Sequence, residues 1–165
     1  VRRGLIGQLF DGLKQVLRPA ASRSTPSQRG SRDGGHSGTT DVHDRNLAFE
    51  YSPCLDGDPD PGEVVWTWVP YEDDPRQGKD RPVAIIGRRG SHLLGVPLTS
   101  KEKHNEIQVP VGTGSWDREG RISYAKVERL LDIVPTSVRR EGAVLSRAHF
   151  DDIVAGVERA RRNGR

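Results

Sequence analysis

The sequence predicts a mainly β (α+β) protein: a small barrel or sandwich of short antiparallel strands closed by a C-terminal helix, with a separate amphipathic helix ahead of it. Three observations predict this. "EVVWTWVPY" alternates in period two, with Val65, Thr67 and Val69 on one face and Val64, Trp66 and Trp68 on the other. Short apolar runs follow it, separated by Gly-, Pro- and charge-rich turns. Residues 147–157 instead place Phe150, Ile153, Val154 and Val157 on one helical face behind Ser146, a good N-cap.

In chain order, "GLIGQLFDGLKQVLRP" sets Leu5, Ile6, Leu9, Phe10, Leu13, Val16 and Leu17 on one stripe and stops at Pro19, which gives an amphipathic helix over residues 1–18. Such a helix can dock on a partner, lie on a membrane surface, or pack on its own domain. Its polar face has few lysines, which argues against the membrane. Residues 19–45 are rich in Ser, Gly, Pro and Arg without apolar periodicity, the composition of a flexible linker. The folded domain is expected over 46–160. Within it "PVAIIG", "HLLGVPL" and "EIQVPVG" read as further strands, whereas "SYAKVERLLDIV" also fits a helical stripe through Tyr124, Val127, Leu131 and Val134. A basic tail over 161–165 is expected to fray.

The totals exclude several classes. Of 165 residues only 33% are hydrophobic and 30% are charged, with 19 Gly and 11 Pro, too polar for the whole chain to pack uniformly. No apolar run is long enough for a membrane span and no signal-peptide core is visible, so a cytoplasmic protein without membrane association is expected. The single cysteine, Cys54, rules out an internal disulfide. Net charge is only +3, yet the charges are sorted: residues 46–75 hold eight acids and no Lys or Arg, and residues 76–104 hold seven Lys or Arg against two acids. A positive surface beside an acidic stretch is one reading, and solvated loops of either sign are the other.

Several motif matches fail on chemistry. "DGDPDPGE" spaces Asp56, Asp58 and Asp60 like a calcium loop but has Pro61 where glycine is required and Thr67 where a bidentate glutamate is required. The histidines show no metal-ligand spacing, and "GRRGSH" lacks the Gly-Lys-Ser/Thr ending of a phosphate loop. No metal and no cofactor are expected. What remains is arginine, threonine and aromatic residues around a basic stretch. RNA cleavage by the ribose 2′-hydroxyl needs in-line positioning, proton handling and charge on the non-bridging oxygens. A guanidinium suits the last role, and a threonine hydroxyl can hold the same phosphate. If "RPVAIIG" pairs with "HLLGVPLT", Arg81 at the start of one strand lies near Thr99 at the end of the other. A surface ion pair of Arg81 with Asp80 or Glu63 is the competing reading.

At these residues the chain resembles the MazF/PemK family of type II toxin ribonucleases, here with an N-terminal extension. "GEVVWTWVPYEDDPRQGKDRPVAIIG" is similar to the family's opening strand, loop and Arg-Pro strand, "VPLTS" to the strand that ends in its catalytic threonine, and "AKVERLLDIVP" more loosely to a later strand. The resemblance implies a small SH3-like barrel, usually a homodimer with single-stranded RNA along the dimer groove. It also implies metal-independent cleavage to 2′,3′-cyclic phosphate and 5′-hydroxyl ends, and inhibition by a cognate antitoxin peptide in the same groove. By position Arg81 and Thr99 match the catalytic pair, and "AKVERLLDI" becomes a strand. RNA contacts are expected from Trp66, Trp68, Tyr71, Arg76, Lys79, Ser100, Lys101 and Lys103, with at least one of Trp66 and Trp68 buried. The chain departs from the pattern at Arg76, where some members are acidic, and lacks the glutamine common in the later strand. A non-catalytic barrel that binds RNA or a protein target is the alternative, and a partner module recruited through the N-terminal helix is the third reading.

Overall fold

A computed structural model describes residues 38–44 and 46–164; the helix expected over 1–18 and the linker up to residue 37 lie outside them. The described chain forms strands β1 (Thr39–Asp41), β2 (Glu63–Pro70), β3 (Gly78–Arg89), β4 (His92–Thr99), β5 (Gln108–Gly112), β6 (Ser123–Lys126), β7 (Leu131–Ile133) and β8 (Val138–Val144), then helix α1 (Arg147–Asn163). The pairings are antiparallel in the order β1-β7-β4-β3-β2-β8, and β6 joins β4 and β5 beside that path. The sheet curls into a half-barrel with one C-terminal helix.

Two apolar faces hold this sheet. Alternate residues of β2, β3 and β4 supply Val64, Ala84, Ile86, Leu94, Val96 and Leu98 to one cluster, shared with Phe150, Ile153 and Val157 of α1. Their neighbours Val65, Val69, Val83, Ile85 and Leu93 turn to the other face and meet Leu131 and Ile133. Each fully buried Leu or Ile contributes roughly 1.5–3 kcal/mol. Burial on both faces explains why β4 reads as a continuous apolar run, "LLGVPL", rather than an alternation. The β3–β4 hairpin closes on Gly90–Ser91, with Arg89 opposite His92 and Gly90 at φ +60°. Ser146 caps α1 by accepting the His149 N–H at 3.2 Å. Gly156 lets the helix approach the sheet, where a Cβ would lie 2.8 Å from Val109 and 2.9 Å from Val127.

Three sequence expectations need correction. "AKVERLLDI" is two strands. From Leu98 to Gly95, β4 advances three residues while its partners advance six, from Ala125 to Leu131. The surplus forms a turn closed by Val127 N–H to Ala125 O and Arg129 N–H to Lys126 O, and Val127 and Leu130 drop into the core. The flexible linker does not extend to residue 45, nor does the domain begin at 46, because Thr39–Asp41 pair with β7 and Val42 is buried. A three-residue strand with two exposed positions carries too little periodicity to be read from sequence. The stretch expected as a tail from 161 is helical through Asn163, with Arg161 and Arg162 in the last turn of α1, where cations suit the helix dipole.

Gly95 faces Val83 and Ile133, and a Cβ there would lie 2.5 Å and 2.8 Å from their side chains. Gly95→Ala should therefore destabilise the domain by roughly 1–3 kcal/mol through overpacking, read as a lower urea midpoint with an unchanged slope.

Candidate active site

The β3–β4 ladder runs from Arg89–His92 to Val83–Pro97 and stops there. Neither Pro82 nor Pro97 has an N–H to give, so whichever of these adjacent levels faces across the seam is short of one donor. Beyond it, β3 stays with β2, where Arg81 faces Thr67, and β4 stays with β6, where Thr99 faces Tyr124. The two strands diverge at the rung where continued register would set Arg81 opposite Thr99. A cavity of about 670 Å³ fills the gap, and Arg81 and Thr99 both line it with Trp66, Lys79, Ser100 and Lys101.

The cavity wall is cationic. Asp80 is held by Arg139 at 3.2 Å, and Asp117 and Glu119 are held by Arg121 at 2.9 and 3.1 Å. Lys79, Arg81, Lys101 and Arg118 line the same wall, and among the described residues none of the four makes an ion pair. The alternative partners for Arg81 are thus engaged elsewhere: Asp80 with Arg139, and Glu63, fully buried, with the Cys54 and Asp60 N–H groups at 2.9 and 3.2 Å. Burial draws the half-buried Arg81 guanidinium below its ordinary pKa, Tyr71 opposes the shift and Arg129 adds to it. The neighbouring Arg81 charge, followed by burial and Lys101, lowers Lys79. Cations that depress one another in a cleft are stabilised by an anion. The Thr99 hydroxyl accepts the Lys101 N–H at 3.1 Å, which leaves its own proton available to a phosphate oxygen.

The other expected contacts divide. Tyr71 and Lys103 line a second, smaller cavity of about 230 Å³ on the far side of Arg81, which lines both; Lys103 is paired there with Glu106 at 2.7 Å. Trp68 and Arg76 line neither. Trp68 lies over Gly78, where a Cβ would be 2.6 Å from its ring. Arg76 turns onto Asp74, with Nε at 3.0 Å and the backbone N–H at 3.2 Å. Trp66 and Trp68 are both half-buried, contrary to the expectation that one is buried. The buried tryptophan is Trp116, 4% exposed, which fills the helix-side cluster and donates Nε1–H to Ser123 Oγ at 3.0 Å.

Sequence reading missed the opposite wall, Trp116, Asp117, Arg118, Glu119, Arg121 and Ser123, together with Arg139. "SWDREGR" reads as a charged surface turn. Its two arginines, Arg118 and Arg121, both follow the tryptophan, and only the fold sets them across from Arg81.

A family model described as PemK-like, MazF-like toxin of type II toxin-antitoxin system matches residues 60–160. No curated protein sequence matches the chain. Among solved structures, MazF from Deinococcus radiodurans aligns with a TM-score of 0.51 and 18% identity over 63% of this chain and 96% of that one. An endoribonuclease in complex with its cognate antitoxin from a mycobacterial species aligns at 0.48 and 14% identity, over 62% and 93%. Toxin MazF-mt6 of Mycobacterium tuberculosis aligns at 0.46 and 16%, over 59% and 94%. At these identities the Deinococcus likeness is one of fold.

The loop after β2 carries its own pH test. Side-chain hydrogen bonds from Arg76 and Gln77, and then the Arg76 N–H, hold the Asp74 carboxyl below its ordinary value of 3.8. Because the folded pKa is the lower one, the latch contributes fully above the unfolded value and is lost as pH falls through the folded one. The Arg76 Nε–H and Gln77 side-chain NMR signals should move with a midpoint below 3.8, and Asp74→Asn should show the moved positions at neutral pH.

Proposed function

The chain belongs to the PemK-like, MazF-like toxins of type II toxin–antitoxin systems, and on that premise we propose that it cleaves single-stranded RNA at Arg81 and Thr99. One observation carries the reading. Where the β3–β4 ladder ends, an arginine that makes no ion pair among the described residues and a threonine hydroxyl line one cationic cavity with Lys79 and Lys101.

The chemistry follows from what these groups can do. The 2′-oxygen of the substrate attacks the adjacent phosphorus; the P–O2′ bond forms as the P–O5′ bond breaks. The 2′-hydroxyl gives up its proton and the departing 5′-oxygen takes one, which leaves a 2′,3′-cyclic phosphate and a 5′-hydroxyl. The nucleophile belongs to the substrate, so no bound metal is needed to generate it. Arg81 stabilises charge on the non-bridging oxygens, and its lowered pKa favours proton transfer to the leaving oxygen. Thr99 fixes the phosphate. Lys79 and Lys101 hold the flanking backbone, Ser100 donates beside them, and Trp66 offers an aromatic face to a base. Tyr71, on the other side of Arg81, serves the neighbouring nucleotide.

The half-barrel is read as the SH3-like barrel of the family, working as a homodimer in the cytoplasm. A cognate antitoxin peptide with acidic residues would inhibit by filling the same cavity, as one similar structure is described as holding its own antitoxin. The working unit proposed is the domain that begins at β1, with the residues before it an appendage.

Purified protein should cut a long single-stranded RNA in EDTA. Arg81→Ala should slow single-turnover cleavage on the order of 10²–10³-fold and Thr99→Ala roughly tenfold or more, with RNA still bound. A wild type that binds RNA and leaves it intact contradicts the ribonuclease reading and favours the non-catalytic module. Lys79→Ala and Lys101→Ala should each lower the salt dependence of binding by about one ion.

A further inference from the structure

The segment before residue 60 lies outside the family match, yet it reaches the back of the site. β1 pairs with β7 through Thr39–Ile133, Thr40–Asp132 and Asp41–Leu131, and the Val42 N–H donates to Leu130 O at 2.9 Å. This pairing sets the Asp41 carboxylate against Arg129, which donates Nε–H and Nη2–H to its two oxygens at 2.8 and 3.2 Å. The Arg129 side chain is only 11% exposed. Its third nitrogen lies 3.9 Å from Glu72, which also holds Lys126 at 3.1 Å. Arg129 and Arg81 line the same smaller cavity.

A bidentate carboxylate fixes a guanidinium in both position and plane. Without it, Arg129 keeps among the described ion pairs only the long contact to Glu72. It shares its cavity with Arg81 and with Glu72, Asp73 and Glu106, and of these acids Glu72 is already held by Lys126 and Glu106 by Lys103 and Lys126. A freed arginine beside a phosphate site becomes a phosphate ligand, because that is where its charge is best satisfied. It would draw the phosphodiester off the line between Arg81 and Thr99.

We propose that Asp41 is a positioning residue: its carboxylate holds Arg129 in the wall behind Arg81 and keeps that cation off the bound phosphate. The consequence for rate rests on the ribonuclease reading, whereas the consequence for binding does not. β1 is therefore part of the site's support, and a chain starting after residue 45 would lose it.

The test uses the full chain with a 2′-O-methyl single-stranded RNA as uncleavable probe, titrated at several salt concentrations, beside single-turnover cleavage of the unmodified RNA. Asp41→Asn should bind with a salt dependence steeper by about one ion and cleave about tenfold more slowly, the scale of a misaligned rather than a missing group. Asp41→Glu should restore both. Arg129→Gln alone should leave the salt dependence at the wild-type value, and Asp41→Asn/Arg129→Gln should return to it. An unchanged salt dependence in Asp41→Asn, a steeper one that survives in the double variant, or a shallower one in Arg129→Gln each overturns the proposal. Wild type that binds without cutting overturns only the ribonuclease reading; wild type that does not bind even at low salt overturns both.

Discussion

Pro97 stands on the last rung of the β3–β4 ladder, opposite Val83, and Pro82 is the next residue of β3; whichever of these two levels turns its backbone across the seam is short of one N–H. The rest of the site depends on that shortage. Up to Val83–Pro97 the two strands are locked together and buried on both faces, with residues from Val83 to Ile86 and from Leu93 to Val96 inaccessible to solvent. Past that point each strand keeps its other neighbour, β2 for β3 and β6 for β4. The result is a rigid seam that opens at one end, and positions 81 and 99 lie on the two lips. The two lips are held by sheet pairings, with the β5–β6 loop as the opposite wall, which suits a site that must keep positions 81 and 99 in register.

Charge is arranged around the opening by the same economy. Most acids near it are already engaged: Asp80 with Arg139, Asp117 with Arg121, Asp74 with Arg76 and Asp41 with Arg129. Such surface pairs contribute little to stability, because water screens them. Their effect is to decide which cations stay available. Arg81, Lys79 and Lys101 are left to an incoming anion, while Arg76 and Arg129 are withdrawn. The sorted charge of the sequence is paired off only in part: Asp74 meets Arg76 and Asp60 meets Arg88, while Lys79, Arg81 and Lys101 of the basic stretch give the cavity its charge.

What the sequence made legible follows from locality. The hairpin with Arg81 and Thr99 at its open end is a contiguous stretch, and its two prolines are visible in "DRPV" and "GVPL". The Ser146 cap and the apolar face of α1 are likewise local patterns. What stayed hidden depends on pairing at a distance. β1 is three residues long and finds its place only against β7. The turn inside "AKVERLLDI" appears only in the mismatch of register against β4. Trp116, 34 residues along the chain from Pro82, takes the buried place expected of Trp66 or Trp68 because the β5–β6 connection folds over that face. The Arg76 position was legible as a charge, but its partner Asp74 made it a latch rather than a contact.

A crystal structure of the protein with a short 2′-O-methyl RNA bound is the most direct test. One phosphate should lie between the diverging strands, its non-bridging oxygens within hydrogen-bond distance of the Arg81 guanidinium and the Thr99 hydroxyl, with Arg129 still on Asp41. RNA seated elsewhere on the surface, with the opening between β3 and β4 empty, would contradict this placement of the site.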